Sequence, residues 1–451
     1  MRSLSFPSSS AGRGGSTLSI VGGRAIAFGG ADRNGTLFSD LLSVDVARGH
    51  IAAVTNGEGS AVVEPLGGHA AATVSIDWTW ALVENKGEII ADTGSRRSLT
   101  CRDGDERMIV FGGINFTAEA ALSGLGEWAP MVGRGEKVSE SGSWRAVSTE
   151  GIAPQGRTGH TMHAIPPPIV LAPHPSGNAA LDDAAGLPAP IVPLSSVLGA
   201  DTREAIVVLF GGSNPDDGPL NDTWLLHALA PQGPLTGGAP LYTWERVAIK
   251  GTPPAPRELH AAFIRPAIVR LVTAAEGLLG SGASSRVRVL APPALIIHGG
   301  RCEDGTPRPD LCVLDLTTRT WLPQTRAPHA RCASAAAPSP CGLRVLEYGG
   351  QASLAELARG AVELDTSGAV LEAEGMDSDE AKGLRPAEWS WRVLPAPASA
   401  SSRFAAAAIA VLPPSVCSSE AEKGACTLVV LGGMTAMEDL AEAILIDIPA
   451  A

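Results

Sequence analysis

The chain's nine histidines, seven cysteines and two tyrosines are the side chains best suited to bind a metal, serve as a general base or attack as a nucleophile. The histidines are dispersed at His50, His69, His160, His163, His174, His227, His260, His298 and His329. His298 directly precedes a double glycine and His227 lies in an apolar run, so both read as satisfied core residues rather than as ligands. The cysteines, Cys101, Cys302, Cys312, Cys332, Cys341, Cys417 and Cys426, are odd in number, and no two have the C-x-x-C spacing of a zinc site. Reduced thiols are the reading. No phosphate loop, nucleophile elbow or metalloprotease helix occurs. No metal and no cofactor are expected.

One polar pattern does recur. Arg157 with His160 and Arg257 with His260, joined by Arg331 and Arg403, stand at the entrance to stretches of small residues, as in GRTGHTMHAI, PRELHAAFI, ARCASAAA and SRFAAAAIAV. A catalytic site needs one of each group. A residue that returns in register is better suited to hydrogen-bonding neighbouring backbone. Trp144, Trp244, Trp321 and Trp391 recur in the same way and read as packing residues. Trp78 and Trp80 fall outside this pattern and have no assigned role.

The elements that position these residues are strands. An apolar run ending in a double glycine returns six times: RAIAFGG to Gly30, RMIVFGG to Gly113, IVVLFGG to Gly212, LIIHGG to Gly300, RVLEYGG to Gly350 and LVVLGG to Gly433. Each run reads as a strand buried on both faces, and the glycines end it by adopting backbone geometries closed to other residues. A short loop follows most copies, and then an acidic residue opens a second apolar strand: Asp40 and Asp45, Asp222, and Asp310 and Asp315. A tryptophan strand comes next and the small-residue strand last. One unit is therefore four strands, and 52 glycines with 35 prolines fit such turn-dense β structure.

In this order R-x-G-H, an apolar run with Gly-Gly, N-D-x-W and a later tryptophan resemble the kelch repeat, a unit of about 50 residues that forms one propeller blade. The resemblance spans nearly all 451 residues. It implies an all-β, six-bladed propeller in one domain, with blades near 7–66, 67–155, 156–255, 256–329, 330–402 and 403–451. The last unit ends at its third strand, EAILIDIPAA, so the N-terminal residues Arg2 to Phe6 are expected to supply the missing fourth strand and close the ring. The second glycines lie 83, 99, 88, 50 and 83 residues apart, and the excess sits each time between the small-residue strand and the next Gly-Gly strand. Alternating strand direction puts all these insertions on one face. Rich in Pro, Ala and Gly, they read as flexible excursions rather than as an extra domain. The acidic stretch from Leu371 to Glu388 reads as a loop of the fifth blade.

The resemblance extends to enzymes. A galactose oxidase-like copper site needs tyrosines, histidines and a cysteine cross-linked to tyrosine, but the only tyrosines here, Tyr242 and Tyr348, lie beside a repeat tryptophan and inside a Gly-Gly strand. The E-x-x-x-D-x-x-x-H iron motif of plant specifier proteins is absent, and the acid-base residues of a sialic-acid epimerase cannot be placed. The chain is more similar to propeller-only kelch proteins such as the Rab9 effector class. These proteins imply a non-enzymatic scaffold or adaptor that binds a partner protein or peptide. The alternative is a propeller enzyme acting on a sugar or other small molecule, of the oxidase or epimerase class.

Candidate partner contacts lie on the face opposite the insertions: Arg33, Asn34, Asn214, Arg301, Glu303 and Gln351 in the loops after Gly-Gly strands. At the channel mouth they are Arg157, His160, Arg257, His260, Arg331 and Arg403. A net charge of −13 argues against nucleic acid or an anionic membrane surface as the partner. No apolar stretch approaches the roughly 20 residues of a membrane span. A soluble, cytoplasmic monomer is expected. Residues 1 to 31 carry Arg2, Arg13 and Arg24 with many serines and no acid before Asp32, the composition of an organellar presequence, which is the minority alternative.

Overall fold

The structure, a computed structural model, describes residues 2–57, 60–61, 63–75, 106–115, 120–132, 138–171, 205–229, 241–272, 286–367, 384–394, 401–411 and 425–449. Among these there is no α-helix. The chain forms sheets arranged in a ring like the blades of a propeller. The Val-, Ile- and Leu-rich Gly-Gly runs become buried strands, such as Ala294–His298 and Cys426–Leu431, in which every residue is buried. The small-residue stretches become inner strands such as Thr17–Val21, Ala70–Ser75 and Ala261–Arg265, and together these surround a channel of about 530 Å³.

Four sheets of four or five strands stand separately as blades, where six were expected. The difference lies at the N-terminal end, where the first two units are one eight-stranded sheet. The strand His50–Asn56, last in its unit, pairs in parallel with Val138–Val147 through Thr55 with Ser141 and Asn56 with Gly142. That pairing merges two groups of four strands.

The N-terminus takes the place expected of it. Arg2–Ser5 pairs antiparallel with Glu442–Ile448, Arg2 opposite Leu445 and Ser5 opposite Glu442, and Phe6 is buried beside that sheet. Residues read as a possible presequence are thus part of the sheets, with Arg13 only 2% exposed.

The insertions correct the sequence reading in one respect. Ile169–Leu171 from one insertion pairs in parallel with Ile268–Val272 from the next, which pairs antiparallel with Arg286–Ala291. Two excursions read as structureless thus share a three-stranded sheet, built on short Val- and Ile-rich runs hidden in a Pro- and Ala-rich background. Trp78, Trp80 and residues 371–383 lie outside the described residues.

A circuit of backbone hydrogen bonds runs round the ring where the inner strands begin. Gly15 N–H donates to Ala405, Ala405 to Ala333, Ala333 to Leu259, Leu259 to Gly159, Gly159 to Gly68 and Gly68 back to Gly15, at 2.7–3.1 Å. All six residues have φ between +53° and +67°. Glycine adopts this left-handed geometry freely, whereas Leu259, Ala333 and Ala405 are strained there by about 1–2 kcal/mol each. Ala405→Gly is therefore expected to raise stability, by up to about 1 kcal/mol. Gly68→Ala, whose methyl would strike Thr158 Oγ1, should lower it. Urea denaturation of both variants reads the sign directly.

Candidate functional site

The arginines nominated at the channel mouth, Arg157, Arg257, Arg331 and Arg403, are all buried. Arg157 is fully buried, donating from Nη1 to the carbonyl of Gly211 at 2.9 Å and pairing with both carboxylate oxygens of Asp222. Arg257 reaches Gly299 O at 2.8 Å and Asp310 at 2.6 Å, and Arg403 reaches Gly432 O at 2.9 Å and Glu442 at 2.7 Å. Arg331 donates to Gly349 O and Gly360 O, because Gly360 stands where the other units carry their acid. Each side chain runs from the start of a unit to the Gly-Gly end of the same unit, while the backbone carbonyl of the same arginine accepts from the second glycine of the unit before. Burial disfavours the carboxylates of Asp222, Asp310 and Glu442, yet the hydrogen bonds and charge of their arginines hold all three below the usual range.

The histidines are equally internal. Each Gly-Gly strand of the first three units ends in phenylalanine, and that ring is flanked by a histidine and a tryptophan of the following unit. Phe28 meets His69 at 5.0 Å and Trp144 at 4.7 Å, Phe111 meets His160 and Trp244, and Phe210 meets His260 and Trp321. His69 and His260 hydrogen-bond Thr17 and Thr161, but the matching position beside His160 is Ala70, so His160 has no hydroxyl partner there. Burial pushes His69 and His163 down to about 4 and His160 to about 3, with the nearby Arg157 charge helping at His160. His260 is lowered likewise, by burial and then by Arg257. These four neutral imidazoles line one stretch of the channel wall, otherwise largely alanine. Among the described residues no group of three or more His, Cys, Asp or Glu is arranged to hold a metal ion.

The outward-facing candidates lie on loops. Arg33 is exposed and clasps the neighbouring loop through Met437 O at 2.7 Å and Asp439. Asn34 and Glu303 are exposed, and Arg301 pairs with Glu258 at 2.9 Å. Asn214, only 8% exposed, shapes its own turn by accepting from the backbone of Asp216 and Asp217. Gln351 accepts from Cys332. The same loops carry large apolar side chains that sequence reasoning passed over: Leu354 is 75% and Met437 85% exposed, and Ile152, on a loop entering an inner strand, is 81% exposed. Ile152 also lips a groove of about 730 Å³ lined by Asp217, Pro219, Trp224, Trp244 and Arg246.

Similarity to known proteins lies in the fold. A chain from the cryo-EM structure of RAG in complex with one melted RSS and one unmelted RSS matches over 99% of this chain and 100% of its own, with a TM-score of 0.51 and 13% identity. Neither a family model nor a curated protein matches the sequence. No helix among the described residues is long and apolar enough to cross a membrane.

Arg13 was missed as an anchor because its neighbours Ser8 to Ser10 and Arg2 suggested a presequence. It repeats the motif, pairing with Asp40 and donating to Gly29 O, and the R-G-G at 13–15 preceding a small-residue strand is the signal that identifies it. In the second unit Leu66 takes the arginine's place.

Arg157→Ala leaves the largely buried Asp222 without its counter-charge, held only by Trp224 Nε1, so a loss of about 3–5 kcal/mol is expected, whereas Arg33→Ala at the surface should change stability by about 0.5 kcal/mol or less. Chemical denaturation separates the two. The histidines add a pH dependence. All four are neutral in folded and unfolded chains above the unfolded value of 6.5. Below it the unfolded chain binds protons that the folded chain resists, so stability is lost as pH falls from 6.5 toward about 3–4. His298 acts in reverse: despite burial, Glu347 raises its pKa, so its contribution is complete below 6.5 and is lost as pH rises through the folded value. Melting profiles from about pH 7 to about pH 5 should fall, and His160→Asn should flatten the fall.

Proposed function

We propose that the chain is a six-bladed, kelch-type β-propeller that works as a cytoplasmic, non-catalytic scaffold, taking a protein or peptide partner on the loops opposite the insertions. Two observations support six blades. The six-membered hydrogen-bond circuit through Gly15, Gly68, Gly159, Leu259, Ala333 and Ala405 has one member per sequence unit. The eight-stranded sheet divides naturally into two groups of four at its single parallel pairing.

The observation that carries the binding reading is the exposure of Ile152, Leu354 and Met437 on loops of one face. Isolated exposed apolar residues are common on any surface. Three at 75–85% exposure on a shared face, set among Arg33, Asp32, Glu303 and Asp304, combine the apolar anchors and charged surround typical of protein interfaces. The groove behind Ile152, with two tryptophans on its wall, suits an extended segment with an apolar side chain.

Comparative capture tests this. Leu354→Asp with Met437→Asp, and separately Ile152→Asp, should leave melting unchanged while removing the specific partners that wild type retains from cells, identified by mass spectrometry. An identical partner set from folded variants and wild type would show that this face is not the binding surface.

A further inference from the structure

Among the described residues, seven arginines are 4% exposed or less: Arg13, Arg157, Arg257, Arg265, Arg331, Arg344 and Arg403. Six of them are hydrogen-bonded. Five have a carboxylate in Asp40, Asp222, Asp310, Glu363 or Glu442, and Arg331 has the carbonyls of Gly349 and Gly360. Arg265 differs. It is 1% exposed, its Nε and Nη1 have no hydrogen-bond partner, and no carboxylate among the described residues is in ion-pair contact with it. Burial alone acts on it, lowering its pKa to about 10, so it is still charged at neutral pH.

Its position makes the charge more notable. Arg265 ends the inner strand Ala261–Arg265, opposite Ala294, at the end of the ring nearest the insertions. The matching inner-strand positions of four other units are Val21, Val74, Ile165 and Val411, so an apolar side chain serves there and the fold does not require arginine. Immediately after it the chain passes through Pro266 and the buried Ala267 into Ile268–Val272 of the three-stranded sheet, while the turn at Gly342 approaches Pro266 from the next unit. The guanidinium is therefore enclosed where the ring meets the insertion sheet. An unpaired buried cation is destabilising, and a counter-charge would offset that cost.

We propose that Arg265 is the anchor of a small-anion site, taking a monovalent inorganic ion of chloride size at the junction of the ring and the insertion sheet. Nε–H and the Nη1 hydrogens point to different sides of the guanidinium, so one small ion sits against a single unpartnered donor and asks for no fork. Phosphate, with more charge and more oxygens, calls for a larger set of donors. An ion held there neutralises Arg265 and, by binding only the folded state, makes stability depend on its concentration.

Chloride-35 NMR is the direct probe. Wild-type protein should broaden the chloride line beyond bulk, bromide should reverse the broadening, and Arg265→Met should abolish it while remaining folded by circular dichroism. Replacing gluconate with chloride at constant ionic strength should raise the wild-type melting temperature by a few degrees and leave Arg265→Met unmoved. Absence of broadening in wild type overturns the site whether or not any variant folds. So does broadening that persists in Arg265→Met, or an experimental structure in which a carboxylate of the chain itself covers the guanidinium. If Arg265→Met does not fold, Arg265→Lys replaces it: an ammonium, which puts no donor where Nε or Nη1 stood, should weaken the broadening severalfold, and an unchanged line would overturn the assignment.

Discussion

The N–H of the second glycine in each unit donates to the carbonyl of the residue that opens the next unit's inner strand, and the rest of the structure depends on this contact. Gly30 donates to Leu66, Gly113 to Arg157, Gly212 to Arg257, Gly300 to Arg331, Gly350 to Arg403 and Gly433 back to Arg13, at 2.7–3.0 Å. The approach is so close that a Cβ on the preceding glycine would strike a carbonyl, that of Arg157 at Gly112 or Arg13 at Gly432, both at 2.6 Å. Both glycines also need positive φ. Where that residue is an arginine, its side chain runs on into its own unit, Nη1 capping the carbonyl of that unit's first glycine, and for Arg13, Arg157, Arg257 and Arg403 the acid opening the following strand neutralises it. Glycine pair, arginine and acid are thus one interaction written at three places in the sequence, which is why they recur together.

Around that contact, the interfaces between units vary in chemistry. Three of them stack phenylalanine between histidine and tryptophan. At the next, His298 replaces the phenylalanine and Ser334 the histidine, and Glu347 accepts from both at 2.7 and 2.5 Å while Trp391 covers His298 at 4.8 Å. Burial of Glu347 would favour its protonated form, but the His298 charge wins and keeps it low. A buried ion pair thus stands where its neighbours rely on aromatic contact. Another interface adds a charged lock further out: Tyr242 of the third unit donates to Glu127 of the second, already held by Arg107 and Arg145. Desolvation and the adjacent Glu127 raise the Tyr242 pKa strongly, so this phenol stays a donor.

What the sequence revealed follows from which constraints are local. The Gly-Gly strands, the acid that follows and the tryptophans in register were legible because each depends on a residue type at a fixed short distance, and the pairing of Arg2–Ser5 with the last strand was legible because the last unit lacks a fourth strand of its own. The parallel contact of Thr55 and Asn56 with Ser141 and Gly142 was not, since two residue pairs separated by more than eighty positions leave no periodicity. Nor was the shared sheet of the insertions, whose strands are three to six residues long and come from different units. For Arg157, Arg257, Arg331 and Arg403 the pattern identified important positions without saying which way they point. Repetition is blind to direction, and only the carbonyls of Gly211, Gly299, Gly349 and Gly432 decide it.

That direction bears on recognition. Arginine is often an interface anchor, but a guanidinium already bonded to a glycine carbonyl and a carboxylate could reach a partner only by breaking the contact that ties the inner strand to the Gly-Gly turn of its unit. Binding and folding would then compete for one side chain. The loops avoid the conflict because their own bonds are made low, at Asn214 to the backbone of Asp216 and Asp217 or at Arg33 to Met437 O, leaving the side chains of Leu354 and Met437 outside. A surface built this way can vary its outward residues without disturbing the ring beneath. On the scaffold reading proposed above, specificity would lie in the least repetitive residues of the chain, the ones that a search for repeats passes over.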